Sequence, residues 1–203
     1  MSRKLRIFLL FSAFLLLFSG CTSIFGWDIH APGVLSNNFF QKVSLVRQER
    51  VALWLDPSLI TFISKDRGGK TADPQTYHVG EAFAPMLIEA FQNGFEEFIL
   101  MEAEPVPAVM KQYGIHWLVS VRIREFKNDV TWKGQALRLE TESVVWNPDL
   151  KEVARFESSG SSQAEKVFAK RGGPQVHLNA ALENTSEAII LHLQDLMRTG
   201  KLQ

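Results

Sequence analysis

The chain has almost no cysteine: among 203 residues there is one, Cys21. An internal disulfide, a dithiol redox pair and a multi-cysteine zinc site are therefore excluded, and the fold must rest on apolar burial. Charge of one sign is equally scarce. Lys plus Arg and Asp plus Glu each number 22 and are interspersed, so the clustered basic surface that a nucleic-acid ligand requires is missing. Long hydrophobic runs are lacking too: the apolar stretch from Ile7 to Phe18 covers about 12 residues, where a membrane-crossing helix needs about 20. Catalytic signatures are sparse. The segment DRGGKT, Asp66 to Thr71, contains a Gly-Lys-Thr triplet, but Ser64 stands where a phosphate-binding loop needs its first glycine. Ala72, Asp73 and Pro74 also prevent the helix that would have to follow. His30, His78, His116, His177 and His192 show neither a two-histidine zinc spacing nor an HExxH pattern, so each reads as structural or solvated. Ser158, Ser159, Ser161 and Ser162 lack a G-x-S-x-G elbow and read as a polar strand edge.

What is present begins at the amino terminus. Arg3, Lys4 and Arg6 make a basic start, residues 7–18 are apolar, and the small residues Ser19 and Gly20 directly precede Cys21. This arrangement resembles a bacterial lipoprotein signal peptide, with Phe18 where the family usually carries Leu and Leu17 one step earlier. The resemblance implies cleavage across Phe18, Ser19 and Gly20, leaving Cys21 as the mature amino terminus. Its sulfur would carry a diacylglyceryl group and its amine a further acyl chain. Buried methylenes contribute about 0.8 kcal/mol each, so two or three chains hold a protein on a bilayer where one does not. The family's inner-membrane retention signal is an Asp after the cysteine. Here the residue is Thr22, which implies the outer membrane and its periplasmic face. No cofactor other than this covalent lipid is expected, and no metal. Loss of the leader would leave 19 basic against 22 acidic residues, a charge of about −3.

The boundaries read from the sequence are a leader over 1–20, a lipidated tether over 21–50 and one α/β domain over 51–203. The tether reading rests on the Gly, Pro, Ser and Asn content of 22–50 and its lack of a sustained period; its aromatics, among them Trp27, Phe39 and Phe40, suggest that part of it packs back on the domain or rests at the lipid surface. Val51 to Leu55 (VALWL) reads as a strand ended by Asp56 and Pro57, Leu59 to Ile63 as a second short strand, and 64–76 as a loop. Val79, Phe83, Met86, Leu87, Ala90 and Phe91 recur at helical spacing up to Gly94, with Pro85 inside. A strand over 95–101 and a short helix around 109–113, closed by Gly114, follow. Ile115, Trp117, Val119, Val121 and Ile123 alternate with polar residues; Asn128 and Asp129 read as a turn, 130–146 as the returning strand with a bulge at Gly134, and 152–158 as the third strand of a meander. Leu178, Ala181, Leu182, Thr185, Ile189, Leu193 and Leu196 form one face of a last helix. The expected fold class is α/β (α+β), a mixed, largely antiparallel sheet with two main amphipathic helices on it.

The leader and Cys21, the VALWL strand, the amphipathic helix, the GIHWLV strand, the meander carrying Trp132 and Trp146 and the last helix, in that order, resemble a superfamily of small periplasmic α/β lipoproteins. It includes the curli-secretion and Pel-polysaccharide lipoproteins, activators of penicillin-binding proteins and the amino-terminal domain of the Tol beta-propeller protein. The resemblance implies a non-enzymatic accessory or assembly component of a cell-envelope complex, with envelope proteins and membrane lipid as partners. It also raises a second reading, a homo-oligomeric secretion or export ring; a third is an anchored hydrolase whose catalytic groups meet only in space. Lys133, Arg138, Glu140 and Glu142 make a membrane-spanning barrel strand costly. Trp54, Trp117, Trp132 and Trp146 read as core packing rather than a ligand platform, and Trp132 and Trp146 would form a protein-contact patch if exposed.

Overall fold

A computed structural model of the chain describes residues 26–67, 74–131, 134–162 and 173–202. The leader, Cys21, the Gly-Lys-Thr triplet and Trp132 lie outside them.

VALWL is apolar at every position because its strand is buried on both sides. It belongs to β2 (Val46–Leu55), which pairs in parallel with β5 (Phe95–Met101) on one side and β6 (Trp117–Thr131) on the other. Val51 and Leu53 enter one apolar cluster while Ala52 enters another on the opposite face. Antiparallel β7 (Gly134–Trp146) and β8 (Glu152–Ser161) complete a five-stranded open sheet in the order β5-β2-β6-β7-β8. A small second sheet, ordered β1-β4-β3, is made of β1 (Trp27–Ile29), β3 (Ser64–Asp66) and β4 (Gln75–Tyr77). Five described helices complete a single α+β domain: α1 (Asn37–Lys42), α2 (Pro57–Ile60), α3 (Val79–Gly94), α4 (Pro107–Gln112) and α5 (Gly173–Arg198).

The helices sit where the strand order requires. The crossover from β2 through α3 to β5 and the one from β5 through α4 back to β6 run in opposite directions across the sheet, so one hand of connection puts their helices on opposite faces. Phe83, Met86, Leu87, Ala90 and Phe91 of α3 are fully buried in the main cluster, which α5 completes with Leu178, Ala181, Leu182, Ile189, Ile190 and Leu193. On the other face α4 contributes Met110 to a smaller cluster with Ala52, Ile115 and Leu118. Gly114 ends α4 at φ 59°, with its N–H on Lys111 O and that of Ile115 on Met110 O, as the sequence suggests.

Several expectations are corrected, among them the loop over 64–76, whose two ends form β3 and part of β4. Residues 27–50 are built into the fold rather than forming a tether: β1 pairs with β4, and Ile29, Leu35, Phe39 and Val43 are core residues. The segment is strapped along α5 by polar contacts on one side of that helix. Asn179 bonds both the N–H and the C=O of Val34, Glu183 accepts from Ser36, Glu187 pairs with Lys42, and Gln194 donates to Ser44 O. Residues 59–63 do not form a strand, because Asp56 accepts from the Ser58 N–H as N-cap and Pro57 takes the first helical position of α2. Asn128 and Asp129 do not turn; they pair with Leu137 and Ala136, and the register shift lies between Ile123 and Glu125, not at Gly134. Asn128 instead donates its side-chain amide to Asp66 and Gln75 and accepts from Gln135, which also donates to the buried Tyr77 hydroxyl. Burial holds the Tyr77 phenol well above its ordinary pKa, so it stays a neutral member of this network tying the two sheets together.

Candidate functional site

Of the residues singled out by sequence, Cys21, with Phe18, Ser19 and Gly20, and Trp132 lie outside the described residues. Trp146 is half-buried at the end of β7. With Trp54, Glu104, Pro105, Leu118 and Leu150 it lines an open hollow of about 140 Å³ on the sheet face carrying the smaller cluster. A larger groove of about 560 Å³ runs between the start of β2 and the end of α5, lined by Val46, Glu49, Leu191 and Asp195 among others. Among the described residues no helix is long and apolar enough to cross a membrane.

Further along the face that holds Trp146, pairing of β6, β7 and β8 replaces apolar contact by charge. The Glu142 carboxylate, 6% exposed, lies 2.7 Å from Arg122, 2.5 Å from Arg155 and 3.4 Å from Arg124. Burial pushes its pKa up, but the three guanidinium groups outweigh burial and hold it below the ordinary carboxylate value of 4.5. Glu142 thus contributes stability that is present above pH 4.5 and is lost as pH falls through its lowered native value. Glu142→Gln is expected to cost about 1–2 kcal/mol at pH 7, less than a wholly buried pair because the arginines are about half exposed. In urea titrations the gap between wild type and variant should hold from pH 7 to about 4.5 and narrow below that as pH falls through the lowered native value; a gap independent of pH would show that the charge contributes nothing.

A different cluster forms on the small sheet. Ile29 and Tyr77 are register partners pointing into the core, so Asp28 and the residues directly after the two strands, His30 and His78, each one position away along the chain, come out on the other face. His30 and His78 stack with ring centroids 4.0 Å apart and 16° between planes. Glu81, in the first turn of α3, places Oε2 3.0 Å from His30 Nδ1 and 3.7 Å from His78 Nδ1, and Asp28 lies 3.6 Å from His78 Nε2. From the sequence alone each of these histidines reads as structural or solvated. The only local signal was His78 three residues ahead of Glu81 at a helix start; the partner His30 arrives through parallel pairing of two three-residue strands, too short to show a period.

No protein-family model matches the chain and no curated protein matches it. Solved structures are similar to it at low scores. A hypothetical protein from Chlamydia trachomatis aligns over 76% of this chain and 98% of its own, with 7% identity and a TM-score of 0.42. The PelC dodecamer subunit from Paraburkholderia phytofirmans aligns over 69% of this chain and 87% of its own, with 8% identity and a TM-score of 0.38. Lipoprotein GNA1162 from Neisseria meningitidis aligns over 75% and 99%, with 8% identity and a TM-score of 0.32. At those values the likeness carries no conclusion about this chain.

Proposed function

We propose that the protein is a lipid-anchored cell-envelope component that acts without catalysis of its own, as an accessory or assembly part of an envelope complex on the periplasmic face of the outer membrane. The observation that carries this reading is the basic, apolar and small-residue series ending at Cys21, the only thiol in the chain. Thr22 supports the outer membrane over the inner. The anchor and the α+β domain then divide the work: acyl chains supply the membrane affinity, and the domain supplies surfaces for envelope proteins.

Cys21→Ala tests the anchor. Cells fed labelled palmitate should incorporate it into the wild type and not into the variant, which should accumulate with its leader attached. Incorporation into Cys21→Ala at the wild-type level would refute lipid attachment at this sulfur. Cross-linking in intact cells followed by identification of the captured species tests the accessory role: an envelope protein recovered with wild type and lost with Cys21→Ala supports it, whereas recovery of lipid alone counts against it.

A further inference from the structure

We propose that His30, His78 and Glu81 form a binding site for a divalent transition-metal ion of the zinc class. Two imidazole Nδ1 atoms and one carboxylate oxygen converge, with Oε2 of Glu81 at 3.0 and 3.7 Å from the two nitrogens. Tetrahedral zinc with bonds of about 2.0–2.1 Å places neighbouring donor atoms about 3.3 Å apart, so the two observed separations bracket what an ion needs. All three donor atoms lie within 4.8 Å of one another. The donor set is two histidines and a glutamate, and the exposure of His30 and Glu81 leaves a fourth position to water.

Asp28 is the second and independent observation. Its carboxylate faces Nε2 of His78, the ring nitrogen not directed at Glu81, 3.6 Å away. That distance is an ion-pair contact rather than a hydrogen bond; on closing to hydrogen-bond length such a carboxylate fixes the tautomer that presents the other nitrogen's lone pair to a metal and raises its basicity. An ordinary exposed His–Glu pair, worth between 0 and about 1 kcal/mol, calls for neither the second imidazole nor the carboxylate behind it.

Binding takes each imidazole as the tautomer with its proton on Nε2, leaving the Nδ1 lone pair for the ion, and has a geometric requirement. The stacked rings must splay, since an ion lies near the plane of each imidazole it binds, and the exposure of His30, about half, leaves room for that rotation. Since His30 follows β1 and Glu81 belongs to α3, the ion would cross-link β1 to the first turn of α3.

The test uses the full chain carrying Cys21→Ser, without a polyhistidine tag, in detergent, so that no thiol competes and the result is independent of the anchor. Titration with zinc chloride should saturate at one ion per chain and raise the melting temperature; cobalt chloride should give the visible absorption of a tetrahedral site. His30→Gln and His78→Gln should each weaken binding by at least about tenfold, and Asp28→Asn by about tenfold with the stoichiometry unchanged. His192→Gln, on α5 against Phe156, should bind as the parent does. His30→Gln, altering a half-exposed side chain, keeps the test valid if His78→Gln fails to fold. Undiminished affinity in the His30→Gln, His78→Gln double variant, or no saturable uptake at about 1 mM zinc, would overturn the proposal; failure here leaves the palmitate result unaffected.

Discussion

Gly160→Ala is expected to lower unfolding stability by about 3 kcal/mol, the upper part of the range for overpacking a fitted core. Gly160 lies where α5 crosses β8, and a Cβ there would stand 2.3 Å from Thr185 N and 2.5 Å from Ala181 O. Both are backbone atoms of α5, so no side chain can rotate aside; the helix itself must lift. The surroundings agree with a designed close approach: Ser158, Thr185 and Ser186 are buried, small and polar, with the Thr185 and Ser186 hydroxyls donating back to Ala181 O and Leu182 O. Lifting α5 would also loosen the apolar contacts of Leu182 and Ile189. The melting temperature should fall by about 6–12 °C for a domain of this size, whereas Ser159→Ala, exposed on the same strand, should change stability by less than about 0.5 kcal/mol. Equal stability of the Gly160 and Ser159 variants in urea would show that the helix does not seat on β8 as described.

Phe39→Ala separates two descriptions of the amino-terminal segment. Phe39 is fully buried, packs edge-on against Phe40 with centroids 5.6 Å apart, and belongs to the main cluster. Truncating it in a filled core is expected to cost about 3–5 kcal/mol through lost apolar transfer and the cavity left behind. In a tether the same change would be silent. Phe40→Ala, at 42% exposure, is the matched control and should cost far less. Chemical denaturation of both variants decides between a strap that is part of the core and a linker that is not.

These two residues also show what was legible in the sequence. Elements that bury a periodic face could be read directly: α3, α5 and the strands of the meander lie close to where residue spacing puts them, and β5 lies where its short apolar run does. Phe39 is legible only as one of several aromatics that could pack back on the domain or rest on lipid, because α1 has six residues, less than two full turns, and shows no period to mark a buried face. Its place is fixed from a distance, by the stripe Asn179, Glu183, Glu187 and Gln194 on α5, four residues that look like a solvated helix face until the strap is laid along them. Asn128 and Asp129 misled for a related reason. Their turn-forming chemistry was outweighed by a buried polar network whose members come from β3, β4 and β7. The histidine cluster was invisible on both counts, being assembled by short strands and by side chains that separately have ordinary structural explanations. The proposed lipid anchor stands apart: the sequence series that suggests it is purely local and needs no fold to be read.

Placing the strap inside the core changes how far the protein can reach. Trp27, where β1 begins, lies six positions after Cys21, and a fully extended chain spans about 3.3–3.6 Å per residue, so the reach between them is at most about 22 Å. A thirty-residue tether would have allowed about 100 Å on the same scale. On the proposed lipid anchor at Cys21, the globule would ride close to the headgroups, with Trp27, more than half exposed, the first described strand residue after the anchor. Any complex it serves would have to come down to the bilayer to meet it.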